Sequence, residues 1–221
     1  MKLDPNPNLM LALRAQGKAR RCDQIIAAAS ALWREHGIDK VSLSQIAAAA
    51  QVSPQTIYNL IGGLDALTLA VMNVALDRIE SVVERSTATG IDLALEASAI
   101  SARFYIDDAS LYRQVLVRIP RVLFEGTHLG RDAAAIAVHA MTQAQAAGVL
   151  SAAVDPDRLG RMIYSNYLGA IYDWACGDAS DALFLTTSQV AVLAPAAACA
   201  SETARPELSA RLLEHIGLAT G

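Results

Sequence analysis

Aromatic side chains, charged side chains and cysteines are all scarce in this sequence. Only 5% of the 221 residues are aromatic and 18% are charged. The β-branched and aromatic residues are too sparse and scattered to indicate sheets. The chain is nevertheless 53% hydrophobic, which excludes an intrinsically disordered protein, because disorder requires low hydrophobicity and high charge. The cysteines Cys22, Cys176 and Cys199 are far apart and odd in number, which argues for a reducing compartment rather than a disulfide framework.

Signatures of common enzymes and metal sites are absent from the sequence as well. It holds no G-x-S-x-G, no P-loop and no G-x-G-x-x-G. The four histidines form no H-E-x-x-H, and the cysteines have no C-x-x-C spacing. The carboxylate pair Asp107-Asp108 is interpreted as a solvated cap at a helix end. We therefore predict no catalytic residue, no metal site and no cofactor.

Secretion and membrane signals are likewise not found. The N-terminus has Asp4 and two early prolines in place of a signal peptide's apolar core. The most apolar stretch, residues 182–200, contains several hydroxyl side chains and Pro195, so it is interpreted as a buried helix rather than a membrane span. The sequence predicts a cytoplasmic protein without a membrane partner.

Alanine is abundant: 43 of the 221 residues. It is the strongest helix former and adds little bulk, so the predicted fold class is all-α with close helix contacts. Periodicity and breaks divide the chain into a flexible N-terminal arm (1–17), a unit of three short helices (18–63) and a larger helical domain (64–221). Residues 1–60 carry a formal charge of +3 and the remainder −7, which hints at a polyanion-binding module at the N-terminus.

Two short predicted helices in the first quarter have helix-turn-helix spacing. Ser42 is a good N-cap for the first, and Ser53-Pro54 opens the second, with proline where its missing N–H costs nothing. About three residues separate them, an arrangement in which the second helix can enter the DNA major groove. Gln55 and Asn59 suit adenine edges, and hydroxyls and helix N-termini can contact phosphates.

The residues of this unit resemble the TetR family of bacterial transcriptional repressors. The resemblance covers about 50 contiguous residues, with W-R-E-H-G-I-D-K-V-S-L-S-Q-I-A at 33–47, V-S-P-Q-T-I-Y at 52–58 and D-A-L at 65–67. It implies phosphate contacts by Ser42 and Tyr58, a groove-facing helix, and a basic start of the first helix that reaches the DNA backbone or minor groove. The predicted DNA-binding residues are Lys18, Arg20, Arg21, Ser42, Ser53, Pro54, Gln55, Thr56, Tyr58 and Asn59.

Three positions depart from the family pattern. Gln51 stands where a turn glycine is usual, so a non-glycine residue is expected at positive φ at a cost of about 1 kcal/mol. Ile61 replaces a usual aromatic residue and is expected to be a core substitution. Leu64 replaces a frequent lysine, which removes one phosphate contact.

The larger domain is predicted to hold a small molecule and to dimerise. Its apolar helices with few polar groups are typical of an internal cavity, and the family resemblance implies an effector that shifts the fourth helix and changes the spacing of two DNA-reading units. A large apolar patch on helices about 157–176 and 182–200 favours a homodimer through them, which the resemblance also implies. Candidate ligand contacts are Arg103, Phe104, Tyr105, Tyr112, Phe124, His128, Met141, Tyr164, Asn166, Tyr167 and Trp174, although such residues more often belong to the ordinary core or surface.

Two functions remain open from the sequence. The first is a ligand-responsive transcriptional regulator: a repressor that binds double-stranded operator DNA and is released by an unidentified small-molecule effector. The alternative is a helical ligand-binding or interaction protein that has lost sequence-specific DNA binding, which the departures at Gln51 and Leu64 motivate. Activation instead of repression is compatible with the same residues.

Overall fold

The protein is described by a computed structural model in which residues 7–124 and 130–218 are placed. The predicted all-α fold class is confirmed. Within those ranges the only extended pairing is a single bridge between Leu150 and Ala200. The helices are α1 (Pro7–His36), α2 (Leu43–Ala49), α3 (Pro54–Leu60), α4 (Leu64–Val83), α5 (Gly90–Asp107), α6 (Ala109–Phe124), α7 (Ala135–Ala146), α8 (Pro156–Cys176), α9 (Asp181–Ala198) and α10 (Arg205–Leu218).

The C-terminal half of α1 packs with α2 and α3 into a small apolar unit, which we call the head. Its core holds Ile25, Trp33, Ile46 and Ile57, each with no exposed surface. The predicted N-caps are confirmed. Ser42 forms a capping box with Gln45, and Ser53 accepts from the Thr56 backbone N–H, with proline in the first turn of α3. Local turn chemistry therefore positions α2 and α3 on the core.

Helix α1 begins earlier than the sequence predicts. Helical periodicity suggests a start near Arg20, after an arm of residues 1–17, yet α1 begins at Pro7. Proline is well tolerated in a first helical turn, and the following residues include strong helix formers. Residues 7–17 are therefore helical, although they lack the apolar stripe on which the sequence-based boundary depends.

The remaining helices form the larger unit, which we call the body. Helix α8 packs against α7 and α9, and α9 also packs against α5 and α10. Trp174 on α8 stacks on Phe184 of α9 with ring centroids 5.1 Å apart, and the Trp174 indole N–H donates to Asp181 at 2.7 Å. These contacts fix the α8–α9 hairpin at its closed end.

Two prolines lie inside helices that the sequence predicts to end or kink there. Helix α6 continues past Pro120 to Phe124, and α9 continues past Pro195 to Ala198. Each proline sits in the last two turns, where its missing N–H removes one hydrogen bond close to the helix end. Helix α7, predicted from residue 128, begins only at Ala135, after a turn in which Asp132 accepts from the Ala134 backbone N–H.

Helix α9 is long and apolar enough to cross a membrane by length and composition, and so is the pair α3 and α4 if the two are joined across a 61° bend. In the fold, 44% of the apolar window of α9 is buried inside the body, as is usual for a core helix. The interpretation of this stretch as a buried helix agrees with its packing against α5, α8 and α10.

Candidate DNA-binding face and ligand cavity

Helix α3 presents a polar face to the surface of the head. Ile57 is fully buried, whereas Tyr58 is 56% exposed. Gln55 and Asn59 are exposed one turn apart, and the Gln55 side-chain amide donates to Asn59 Oδ1 at 2.9 Å. Ser53 and Thr56 share a hydrogen bond of 2.8 Å between their hydroxyls. The face is therefore pre-organised by contacts between its own side chains.

The other predicted DNA-binding residues also lie on the surface. Lys18, Arg20 and Arg21 are exposed on α1, and Ser42 is exposed at the start of α2. The Ser42 hydroxyl donates to Gln45 Oε1 at 2.9 Å, and the Ser42 backbone N–H donates to the same oxygen at 2.8 Å. Ser42 thus holds the N-terminus of α2 in a defined geometry.

The expectation of positive φ at Gln51 is confirmed: its φ is 55°. Its backbone N–H donates to the Ala48 carbonyl at 3.1 Å, and its side chain is exposed. The left-handed conformation is thus imposed by the turn between α2 and α3 rather than by packing of the side chain. Ile61 and Leu64, the two other departures, are half-buried and pack against the apolar core, as expected for Ile61.

Replacing Gln51 by asparagine should raise the free energy of unfolding by up to about 1 kcal/mol, because asparagine tolerates left-handed backbone better than glutamine does. A β-branched valine at the same position should lower it by at least as much. Gln51→Ala, which keeps an ordinary Cβ, is the matched control and should change little. Urea denaturation gives the free energy of unfolding of each of these variants. Equal stability of the asparagine and valine variants would contradict the assigned strain.

The body encloses a cavity of about 120 Å³. Helices α4, α5, α6, α7, α8 and α9 all contribute to its wall. Of the residues predicted to contact a ligand, Tyr105, Tyr164 and Tyr167 line it. Aliphatic side chains such as Ile79 and Ile163 make up most of the rest of the wall. No sequence signal distinguished them from ordinary core residues.

The other candidate ligand contacts lie elsewhere. Phe104 and Tyr112 pack edge-on with Tyr105 in an aromatic cluster. Met141 and Trp174 are fully buried core residues. Arg103 and Asn166 are exposed on the surface, because helical periodicity does not reveal which turn of a long helix faces a cavity. His128 and the side chain of Phe124 lie outside the described residues.

Hydroxyl groups form the polar part of the cavity wall. Tyr167 Oη donates to Ser101 Oγ at 2.7 Å, with both side chains buried. Next to them, the Gln189 amide donates to Ser98 Oγ at 2.8 Å. Burial raises the pKa of Tyr105 and Tyr167 well above the ordinary value for a phenol, and burial raises the pKa of Tyr164 to about 12. The phenols therefore stay neutral throughout the physiological range.

These raised pKa values predict loss of stability in alkali. An unfolded chain releases the Tyr164 proton near pH 10, whereas the folded chain keeps it until about pH 12. The contribution of the Tyr164 phenol to the free energy of unfolding is fully present below pH 10 and is lost as pH rises toward pH 12, a loss of about 3 kcal/mol. Thermal unfolding followed by circular dichroism should show a falling midpoint above pH 10. Tyr164→Phe should reduce the fall, and an unchanged slope in that variant would contradict the assignment.

A polar seam joins the body to the head. Gln114 on α6 accepts from the Ile38 backbone N–H at 2.7 Å and donates to the Trp33 carbonyl at 3.1 Å. One turn further along α6, Arg118 pairs with Asp39. Ser110 and Asp108, at the α5–α6 junction, flank the same seam. Because α6 also lines the cavity with Leu116 and Ile119, one helix contacts both the cavity and the head.

Asp108 lies at a helix end, as interpreted from sequence, since it is the C-cap residue of α5, but its side chain is half-buried and paired rather than solvated. The Arg34 guanidinium donates to both of its carboxylate oxygens, at 2.9 and 2.6 Å. The side-chain hydrogen bond from Arg34 holds the pKa of Asp108 below its usual range. Arg34 lies 74 residues away in the chain, so local patterns gave no sign of the pair. Asp107, in contrast, is exposed.

Removal of the Gln114 side chain should open the seam. In Gln114→Leu the Ile38 N–H loses its acceptor, and we expect its hydrogen exchange to accelerate by about tenfold. Gln114→Glu keeps an acceptor and is the matched control, with protection of Ile38 largely retained. Hydrogen-exchange NMR measures both variants. An Ile38 amide that stays protected in the leucine variant would show that Gln114 does not hold the head.

Comparison with known proteins relates the head to a family and the whole chain to a fold. Residues 25–70 match the family model for bacterial regulatory proteins of the tetR family. No curated protein sequence matches the chain. Among solved structures, the chain resembles Thermus thermophilus FadR, a TetR-family transcriptional repressor solved with lauroyl-CoA, at 20% identity with a TM-score of 0.63, covering 78% of this chain and 93% of that one.

Two further structures have the same fold. SmeT, the repressor of the Stenotrophomonas maltophilia multidrug efflux pump SmeDEF, is 19% identical with a TM-score of 0.60, covering 83% of this chain and 92% of that one. TylP, a tetR regulator from Streptomyces fradiae, is 15% identical with a TM-score of 0.56, covering 92% of this chain and 99% of that one. Residues 25–70 therefore belong to the TetR family of bacterial regulatory proteins, and the chain as a whole has the fold of that family's transcriptional regulators.

Proposed function

We propose that the protein is a ligand-responsive repressor, which binds operator DNA through α3 and releases it when a small molecule enters the body cavity. The observation that carries this proposal is the polar, exposed face of α3 on a head that α6 joins to the cavity wall. Thermus thermophilus FadR is a repressor solved with lauroyl-CoA, which supports the combination of repression and ligand binding in this fold.

The DNA-binding residues are proposed on the exposed head surface. Gln55 and Asn59 would read base edges from α3, since amide side chains suit adenine. Tyr58 and Ser42 would donate to phosphates, which position the helix without reading sequence. The full proposed set is Lys18, Arg20, Arg21, Ser42, Ser53, Pro54, Gln55, Thr56, Tyr58 and Asn59. The exposure of each of these side chains, with Thr56 half-buried, supports the assignment.

The homodimer is proposed to form through α8 and α9. On α8, Met162 is 45% exposed, and Ser165, Asn166 and Gly169 are exposed along the same side. Between Arg161 and Asp173, which are both exposed, this side carries uncharged residues, and most of them are small enough for the close approach that an intersubunit four-helix interface requires. A dimer would set two heads at a fixed spacing, which must be about 34–36 Å for successive major grooves.

Ligand release of DNA requires a path from the cavity to the head. Helix α4 lines the cavity with Met72 and Ile79 and begins directly after the head. Helix α6 lines it with Leu116 and Ile119 and holds the head through the Gln114 seam. A ligand that binds one arrangement of these helices better would shift the heads toward the spacing it favours.

The alternative is a ligand-binding protein without sequence-specific DNA recognition. The strained Gln51 and the loss of a basic residue at Leu64 favour it. Both changes leave the α3 face exposed and ordered, however, so they predict weaker DNA binding rather than none.

A mobility-shift assay with labelled DNA from beside the protein's own gene tests the proposal. We expect sequence-selective binding that weakens steeply with salt, and sedimentation of the bound species with two subunits per DNA site. An unrelated fragment of equal length is the control. Equal affinity for both fragments would support the alternative function instead.

A further inference from the structure

The cavity wall is unusual in concentrating the chain's aromatic hydroxyls. The sequence contains six tyrosines, and four of them, Tyr105, Tyr164, Tyr167 and Tyr172, line this one cavity. Serines at positions 98 and 101 complete its polar groups. Every polar atom in the interior of the wall is thus a neutral hydroxyl.

Charge is almost absent from the same wall. Among the residues that the structure describes, 7–124 and 130–218, no lysine, arginine or histidine lines the cavity, and the one lining carboxylate is Glu80. The Glu80 side chain is 39% exposed and accepts from Arg131 at 2.9 Å. The negative charge of Glu80 therefore lies at the rim of the cavity and is already neutralised by Arg131. An organic anion would find no cation inside, and an organic cation would have to displace Arg131.

The size of the cavity limits the ligand further. A dry apolar cavity of about 150 Å³ in another protein holds benzene, and the cavity here is of similar size, about 120 Å³, so a single small ring sets the scale of the ligand. A long acyl chain does not fit this arrangement of the helices. The flat aromatic faces of the tyrosines also suit a ring.

One pair of hydroxyls can orient such a ring. Tyr167 Oη donates to Ser101 Oγ, and Ser101 is also a side-chain hydrogen-bond partner of Tyr105, so a third group at this cluster would use the remaining lone pairs or take the place of one of these bonds. Burial raises the pKa of both Tyr105 and Tyr167, which keeps phenol protons on their oxygens as donors. A ligand hydroxyl beside this pair could donate to one of these oxygens and accept from a hydroxyl proton, and a ligand carbonyl could accept from a hydroxyl proton.

We propose that the effector is a small, uncharged monocyclic compound bearing one hydroxyl or carbonyl group, which Ser101 and Tyr167 bind while the aliphatic wall holds the ring. This inference names the ligand class of the proposed effector site and so depends on that site being where the effector binds.

Four isosteric probes test the chemistry directly on the full-length protein: benzyl alcohol, toluene, benzoate and benzylamine. By isothermal titration calorimetry, benzyl alcohol should bind about fivefold to tenfold more tightly than toluene, which is the value of one hydrogen bond. Benzoate and benzylamine should bind at least about 100-fold more weakly than benzyl alcohol, because their charges would be buried without a partner. Tighter binding of either ion, or equal binding of benzyl alcohol and toluene, would overturn the inference.

Two variants test whether the hydroxyls of Ser101 and Tyr167 cause the tighter binding of benzyl alcohol compared with toluene. Ser101→Ala and Tyr167→Phe should each bring the affinity for benzyl alcohol down to that for toluene while toluene binding is kept, which also shows that the variants are folded. Tyr112→Phe removes a hydroxyl from the adjoining aromatic cluster, outside the cavity wall, and is the matched control. If both cavity variants still bind benzyl alcohol more tightly than toluene, the roles assigned to these hydroxyls are contradicted.

Failure of the inference is distinguishable from failure of the proposed function. If benzyl alcohol binds as expected but leaves the affinity for DNA unchanged, the ligand class stands and release of DNA by this site is refuted. If a charged or long-chain compound releases DNA while the neutral probes do not bind, the regulator stands and the ligand class is refuted.

Discussion

Gly160→Ala should lower the free energy of unfolding by about 3 kcal/mol, at the upper end of what overpacking usually costs. Gly160 lies where α8 crosses α7. A Cβ at this position would sit 2.5 Å from the Val138 Cα and 2.6 Å from its backbone nitrogen. Backbone atoms cannot move aside as a flexible side chain can, so the two helices must separate. Because both helices line the cavity, the variant should also lose ligand binding.

Gly17→Ala, in the interior of α1 and outside the proposed interfaces, is the matched control. A Cβ there meets no atom within 4 Å, and alanine in a helix interior is favoured over glycine by about 0.5–1 kcal/mol. Urea denaturation should therefore show a lower free energy of unfolding for Gly160→Ala and a higher one for the control variant, each compared with the unmodified protein. If Gly160→Ala is as stable as the unmodified protein, the close approach of α7 and α8 is incorrect.

Tyr58→Ala and Gln55→Ala should weaken DNA binding in two different ways. Tyr58 is proposed to donate to a phosphate, so its loss should lower the affinity for every sequence by about tenfold. Gln55 is proposed to read a base edge, so its loss should relax the preference at one base pair, which is typically maintained by about 1–3 kcal/mol. Fluorescence anisotropy with single-base variants of the bound DNA separates the two patterns.

Neither substitution should disturb the fold, because both side chains are exposed on α3. Leu213→Ala, at a 67% exposed position on α10 of the body, controls for loss of surface area and should leave DNA affinity unchanged. A Tyr58→Ala variant that keeps full affinity for all sequences would remove this residue from the interface.

The head could be predicted in detail because its signals are local. The caps at Ser42 and Ser53 each follow from residues within a few positions of one another, and the positive φ at Gln51 was expected from the resemblance to the TetR family, which usually has a glycine at this turn. Such short-range turn chemistry leaves little freedom to the chain, so residue patterns and structure agree.

The body was predicted only in outline because its decisive contacts join distant residues. The Arg34–Asp108 pair spans 74 positions and the Gln114–Ile38 hydrogen bond spans 76. The apolar pattern of α5 and α8 indicated burial but not the rotation of each helix, so of the candidate ligand contacts the structure brings Tyr105 and Tyr167 to the cavity wall and leaves Arg103 and Asn166 on the surface. The start of α7 was misplaced because alanine-rich sequence continues across its N-terminal turn.

Selection of bound sequences from a pool of random double-stranded DNA tests the central claim most directly. A dimer with one α3 in each of two successive major grooves must enrich a two-fold symmetric site whose half-sites are about 10 base pairs apart. The protein should enrich such a site, and the Gln55→Ala variant should lose preference at symmetry-related positions in both halves. Enrichment of no sequence, or of a site without two-fold symmetry, would contradict the account.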